Sequence, residues 1–213
     1  GIGTSKWNNL EDENSPQNLA ARSVVDWTQQ DSPSFTNNTV FLTNGITYYI
    51  NVRARRSMFS DIKDISAVGS SDGILVDTVP PNRPIVTGPI ITNTQMPRWD
   101  WTSGGYGMGV YRFKINDTNL DTGATITTSR FYVAEPPLPE GIYVFYVQER
   151  DIASNWSEIS SWTTEVDITP PILLDFMPTN NMTNVSGTTS LTMNFSENIT
   201  KGSSAAKIYL KRY

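Results

Sequence analysis

The stretch from Gly141 to Pro171, GIYVFYVQERDIASNWSEISSWTTEVDITPP, decides the fold. It opens on Gly-Ile, alternates apolar and polar residues, turns, alternates again and closes on Asp-x-x-Pro-Pro. Period-two alternation puts one set of side chains on each face of a strand, so the stretch reads as two half-buried strands joined by a turn. A looser copy runs from Gly45 to Pro81, GITYYINVRARRSMFSDIKDISAVGSSDGILVDTVPP. Tyr48, Ile50 and Val52 precede Tyr143, Phe145 and Val147 by 95 positions, and Asp77 precedes Asp167 by 90. A self-match at that period is the signature of tandem β-sandwich modules.

The rest of the chain agrees. Its 213 residues hold thirteen Pro and fourteen Gly, the turn residues that many short strands require. Asn44-Gly45 marks a tight turn, since both residues tolerate positive φ. No stretch of ten residues carries a capped helical period. The expected fold class is therefore all-β, sandwiches joined by short Pro-Pro linkers. Proline fixes φ and biases its predecessor to extended geometry, so these linkers read as stiff spacers. The expected core is Tyr48, Ile50, Val52, Trp99, Trp101, Phe113, Tyr143, Phe145, Val147, Leu191, Met193 and Phe195. Val25 with Trp27, and Phe35, Val40 and Leu42, extend the apolar spacing upstream. Before them the text is polar and irregular, and Glu11, Asp12 and Glu13 read as a solvated loop.

Composition narrows the chemistry. The formal net charge is −5, with no basic stripe, which disfavours nucleic acid. Arg53, Arg55 and Arg56 read as a solvated patch, with Arg53 and Arg55 on the outward face of a strand. The chain has no histidine and no cysteine, which removes the commonest general base and metal ligand. No Ser-centred nucleophile turn exists, so the chain reads as non-catalytic. No apolar run reaches the length of a membrane span. The glycine-rich run Ser103–Gly109 lacks the lysine and the strand-loop-helix setting of a phosphate loop, and reads as a flexible inter-strand loop.

Three features point to a ligand or to a buried charge. Asp77, Asp151 and Asp167 raise calcium at the linkers, with Asp72 or Glu165 nearby, but no Asp-x-Asp-x-Asp run gathers the six or more oxygens calcium wants. No cofactor is required by the residues. Tyr106 and Trp162 lie near loops and are the candidate exposed aromatics, able to stack on a ligand such as a pyranose. Glu149 faces inward by the alternation, and an unpaired buried carboxylate is costly, so it is expected to sit at the sheet end or to find a partner such as Arg150 or Arg112.

Residues Tyr48–Arg55 followed by Ser71–Asp77 resemble the late strands of a fibronectin type III-like module from large bacterial surface proteins. Trp99-x-Trp101, with Arg150-Asp151 and Asn155-Trp156-Ser157, resembles bacterial immunoglobulin-like repeats. It departs from the first copy at Glu149, where that copy has Ala54. Met177-Pro178 through Leu191–Glu197 is similar to the start of an S-layer-type immunoglobulin-like module. The resemblance implies three units: residues 1–79, a fibronectin type III-like domain lacking its first strands; 80–169, an immunoglobulin-like domain; and 170–213, the first strands of a third. It implies a structural and adhesive stalk or spacer at the cell surface or outside the cell, whose partners are neighbouring repeats of a longer chain and surface glycans or proteins. The alternative is a carbohydrate- or protein-binding module of a secreted protein. A first unit without its early strands is expected to expose half its core.

Overall fold

The computed structural model describes residues 1–8, 14–26, 34, 36–37, 39–54 and 66–199. Glu11, Asp12, Glu13, Trp27, Phe35, Arg55 and Arg56, singled out above, lie outside the described residues. The described chain is all-β apart from one six-residue helix.

The first sheet is built on β2 (Thr47–Val52). On one side β2 pairs with β1 (Ile2–Gly3), Ile2 opposite Ile50. On the other it pairs with β3 (Gly69–Ser70) and β4 (Ile74–Leu75), Asn51 opposite Ser70 and Thr47 opposite Leu75. All these pairs are antiparallel. Gly45 takes φ 75, as the Asn-Gly turn requires. The helix α1 (Pro16–Ala21) stands in a segment that reads as irregular. Its signal is Ser15-Pro16: the Ser15 hydroxyl accepts from the Asn18 N–H, and proline suits a first turn that lacks acceptors for its N–H.

Here two expected core residues are displaced. Tyr48 is buried, and its hydroxyl accepts from the Thr43 N–H at 3.0 Å. Ile50 and Val52, on the same face, are 43% and 61% exposed, and Ile74 opposite Tyr48 is 55% exposed. The side this sheet covers is the other one, where Asn51 is buried. The Asn51 amide donates to the Ala21 and Ser5 carbonyls, and its oxygen accepts from the Ser70 hydroxyl and the Trp7 N–H. Three of these hydrogen bonds tie the N-terminal segment and α1 onto the sheet, the fourth comes from β3 within it, and every polar atom of the buried amide is met.

The middle unit is a sandwich of two sheets. Its strands are β5 (Ile85–Thr87), β6 (Ile91–Thr92), β7 (Arg98–Thr102), β8 (Val110–Ile115), β9 (Thr125–Thr127), β10 (Phe131–Val133), β11 (Gly141–Arg150) and β12 (Ser160–Val166). One sheet runs β10-β7-β5, the other β6-β12-β11-β8-β9. Val86, Trp99 and Trp101 from the first face Tyr111, Phe113, Phe145 and Val147 from the second, and all are buried. Phe145 lies between the two indoles, with ring centroids 5.0 Å from Trp99 and 5.4 Å from Trp101. The Trp99 Nε1–H donates to the Thr164 hydroxyl at 3.0 Å, so the indole is buried without an orphaned donor. Tyr143 is only half-buried, because it stands near the start of β11, where its hydroxyl donates to the Pro139 carbonyl.

Beyond the second linker, β13 (Leu173–Met177) and β14 (Thr192–Phe195) form an antiparallel ribbon. Met193 and Phe195 are half-buried. Leu191 falls one residue before β14 and is 44% exposed, since two strands offer little to bury it against.

These differences in burial set a test. Phe145→Ala, in the centre of the ring stack, should destabilise the middle unit by about 3–5 kcal/mol. Ile50→Ala should change stability by no more than about 0.5 kcal/mol, as expected of a surface position. Urea unfolding of both variants, followed by tryptophan fluorescence and circular dichroism, measures the contrast.

Candidate functional site

The glycine-rich loop and the first linker meet at one end of the middle sandwich. The meeting starts from Glu149, fully buried at the end of β11. Its carboxylate accepts from the Ser103 hydroxyl at 2.7 Å and from the Gly109 N–H at 3.1 Å. Neither Arg112 nor Arg150 is its partner. Arg112 donates to Gln148 and pairs with Asp121, and both guanidiniums lie over the Trp156 ring, at 4.3 and 5.6 Å. Arg150 on β11, and Arg112 on β8 opposite Gln148, belong to the outward register, opposite to Glu149, so alternation itself keeps them away.

Gly104 and Gly107 serve close approach, while Gly105 and Gly109 take positive φ. A Cβ on Gly107 would stand 2.1 Å from the Glu149 Cδ, and one on Gly104 would stand 2.1 Å from the Arg83 carbonyl oxygen. The loop is therefore seated on the carboxylate below and on the linker beside it, which corrects the expectation of a flexible loop. The linker is fastened in return. The Asn82 N–H donates to the Gly105 carbonyl at 3.1 Å and its side-chain amide to Gly104 at 3.0 Å. The Asn155 side-chain amide donates to the Asp77 carbonyl at 3.1 Å. Pro81 and Pro84 are buried, and the Ser160 hydroxyl donates to the Pro84 carbonyl.

Between linker and loop lies a cleft of about 320 Å³, lined by Asp77, Val79, Pro80, Asn82, Tyr106 and Asp151. Tyr106 stands on its rim, 89% exposed, with φ 65. A non-glycine residue in that region costs about 1–2 kcal/mol. Asp151 is buried, and both its oxygens accept from Asn155, from the N–H and the side-chain amide, each at 2.9 Å. Asp77 accepts from the Val79 N–H at 2.9 Å. Asp167 repeats that turn, accepting from the Thr169 N–H at 3.1 Å. An aspartate that bonds its own backbone two residues on starts a turn, and this is the part the repeated aspartate plays in both linkers.

Of the calcium candidates, Asp77 and Asp151 share the cleft. Asp167 belongs to the second linker, at the opposite end of β11. Asp72 is exposed and pairs with Lys6. Among the described residues no group of three or more acidic, histidine or cysteine side chains gathers.

Of the two candidate aromatics, the structure leaves Tyr106 open and Trp162 not. Trp162 is half-buried against the core and donates its Nε1–H to the Pro89 carbonyl at 3.0 Å. It stands opposite Phe145 in the register of β11 and β12, away from the cleft. Sequence proximity to a turn misplaced it. Sequence reading missed Asn82 and gave Asn155 only as part of a motif, and these two carry the clamp. Asn155 follows Asp151 at four residues, a spacing that closes a side-chain-capped turn.

The second linker is fastened too. The Asp167 N–H donates to the Thr92 carbonyl at 2.9 Å, and the Thr169 hydroxyl donates to Glu140 at 2.6 Å. Glu140 and Asp151 flank the ten residues of β11. At about 3.4 Å per residue the two fastenings stand roughly 37 Å apart.

A family model described as a bacterial Ig-like domain matches residues 167–212. The match begins at the Asp of the second linker and covers the β13–β14 ribbon. No curated protein matches the chain. No helix among the described residues is long and apolar enough to cross a membrane.

Two outcomes follow from the seat of the loop. Glu149→Ala leaves the Ser103 hydroxyl and Gly109 N–H without their acceptor and should cost about 2–4 kcal/mol, with Gly107→Ala costing about 1–3 kcal/mol by overpacking; urea midpoints measure both. Tyr111 gives a pH dependence. Burial first, then the Glu149 charge, raise its hydroxyl pKa, with Arg130 opposing. The folded state then keeps a proton that the unfolded chain gives up, so stability is whole below about pH 10 and falls as pH rises through the folded pKa. Melts from neutral to alkaline pH should show this fall, and Tyr111→Phe should reduce it.

Proposed function

We propose that this chain is a non-catalytic structural segment of a multi-repeat bacterial surface or secreted protein, a stalk in which docked linkers space successive immunoglobulin-like units. The carrying observation is that both Asp-x-x-Pro-Pro linkers are hydrogen-bonded to the middle sandwich, one at each end of β11. A tether between independent domains has no use for such fastening. A spacer does, because unclamped joints let a chain of modules coil instead of extend.

Three further points support the reading. The tail matches a bacterial Ig-like domain, and such domains are typical of bacterial surface proteins. The sequence repeats at the linker Asp, so the same turn can join one unit to the next. The chain carries an acidic balance of 21 to 16 without cysteine, which suits a soluble exported module that needs no disulfide. The division into units 1–79, 80–169 and 170–213 belongs to this proposal, as does the fibronectin type III-like character of the first. The partners it names are neighbouring repeats of the same chain, and the location is extracellular or at the cell surface.

Small-angle scattering tests the stiffness. The double variant Asn82→Ala/Asn155→Ala removes the side-chain amides of the clamp, at about 1 kcal/mol per hydrogen bond, and leaves the backbone bond from Asn82 to Gly105 and the aromatic core in place. The chain should show a single, well-defined maximum dimension and the variant a broadened distribution. Equal, broad distributions for both would contradict the spacer reading.

A further inference from the structure

We propose that the cleft between the first linker and the glycine-rich loop is a binding site for a neutral pyranose, with Tyr106 as the stacking surface. This goes beyond the spacer function and would give the stalk a ligand of its own.

The first argument is the placement of Tyr106. Three positions of the loop adopt positive φ: Gly105, Tyr106 and Gly109. Two carry the residue that tolerates this conformation at no steric cost. The third carries a tyrosine that, at 89% exposure, contributes nothing to the core. The loop beneath it is pinned by Glu149 and Asn82, so the ring is displayed on a fixed support. A strained, rigidly mounted and exposed aromatic has its use outside the fold.

The second argument is what the ring faces. The cleft holds about 320 Å³, the lower end of the range for small-molecule sites and enough for one or two sugar rings. Its wall combines the apolar surfaces of Val79 and Pro80 with hydrogen-bond acceptors. Asp77 commits one carboxylate oxygen to the Val79 N–H and leaves the other open, and Asn82 commits its amide nitrogen and leaves its oxygen. A pyranose presents an apolar face for the ring and equatorial hydroxyl donors for the acceptors. No lysine or arginine lines the cleft, and two carboxylates do, so uronic, sialic and sulfated sugars are repelled.

The test is a titration of the isotope-labelled chain with the methyl glycosides of glucose, galactose, mannose and N-acetylglucosamine, read by amide chemical shifts. The expected result is a saturable, millimolar shift by at least one of them, confined to residues 77–82 and 104–109. Tyr106→Ala, an exposed position whose loss leaves the melting temperature unchanged or higher, should weaken binding at least tenfold, and Tyr106→Phe should retain it. Glucuronic acid should shift nothing. The proposal is overturned if no glycoside shifts these amides, if the shifts persist in Tyr106→Ala, or if calcium chloride alone shifts them and the glycosides do not, which would make the cleft a cation site. The site rests on the docked first linker, which forms one wall of the cleft; absence of any glycoside shift while the Asn82 amide stays protected from exchange overturns the sugar site alone.

Discussion

A carboxylate without a cation sits under the end of the middle sandwich, and the junction is arranged around it. Glu149 is buried on a strand whose neighbouring inward residues are aromatic or aliphatic. Such a charge is tolerated only where hydrogen-bond donors surround it. The loop between β7 and β8 supplies them by folding down onto the carboxylate, and it can do so only because Gly107 has no side chain. Once the loop is down, its carbonyls at Gly104 and Gly105 face the linker, and Asn82 takes both. Removal of the carboxylate would free the loop, and the linker would lose its mooring without any change to its own sequence.

The two linkers share a turn and differ in their moorings. Asp77 and Asp167 each bond the backbone two residues on, which sets the direction of the chain before the prolines. The first linker is then held by asparagine amides, the second by a threonine hydroxyl and the edge of β6. The turn is thus common to the two segments while the contacts that hold each one differ.

Alternation made the aromatic core legible. Trp99, Trp101, Phe113, Phe145 and Val147 follow period two on strands covered on one side, and all are buried. The same rule placed Ile50 and Val52 in a core and failed there, because period two tells which residues share a face and not which face is covered. In the first sheet the covered face carries Asn51, and only the four partners of its amide, scattered from Ser5 to Ser70, explain that choice. Glu149 was legible as inward-facing, but its partners were not, since they come from a loop forty residues away and include a backbone N–H. Trp162 shows the opposite error: a residue near a turn in sequence can stand in mid-strand beside the core.

The claim on which the rest hangs is that the linkers are docked parts of the middle sandwich. Native-state hydrogen exchange at the Asn82 and Asp167 amides tests it most directly, since each donates across the junction, to Gly105 and to Thr92. Docked linkers open only with the sandwich, so both amides should be protected and should exchange at rates approaching those of the β8 and β11 core, with Asn82 losing protection in Glu149→Ala. Exchange of both amides at the rate of a free peptide, while the core stays protected, would show hinges in place of clamps and would contradict the account.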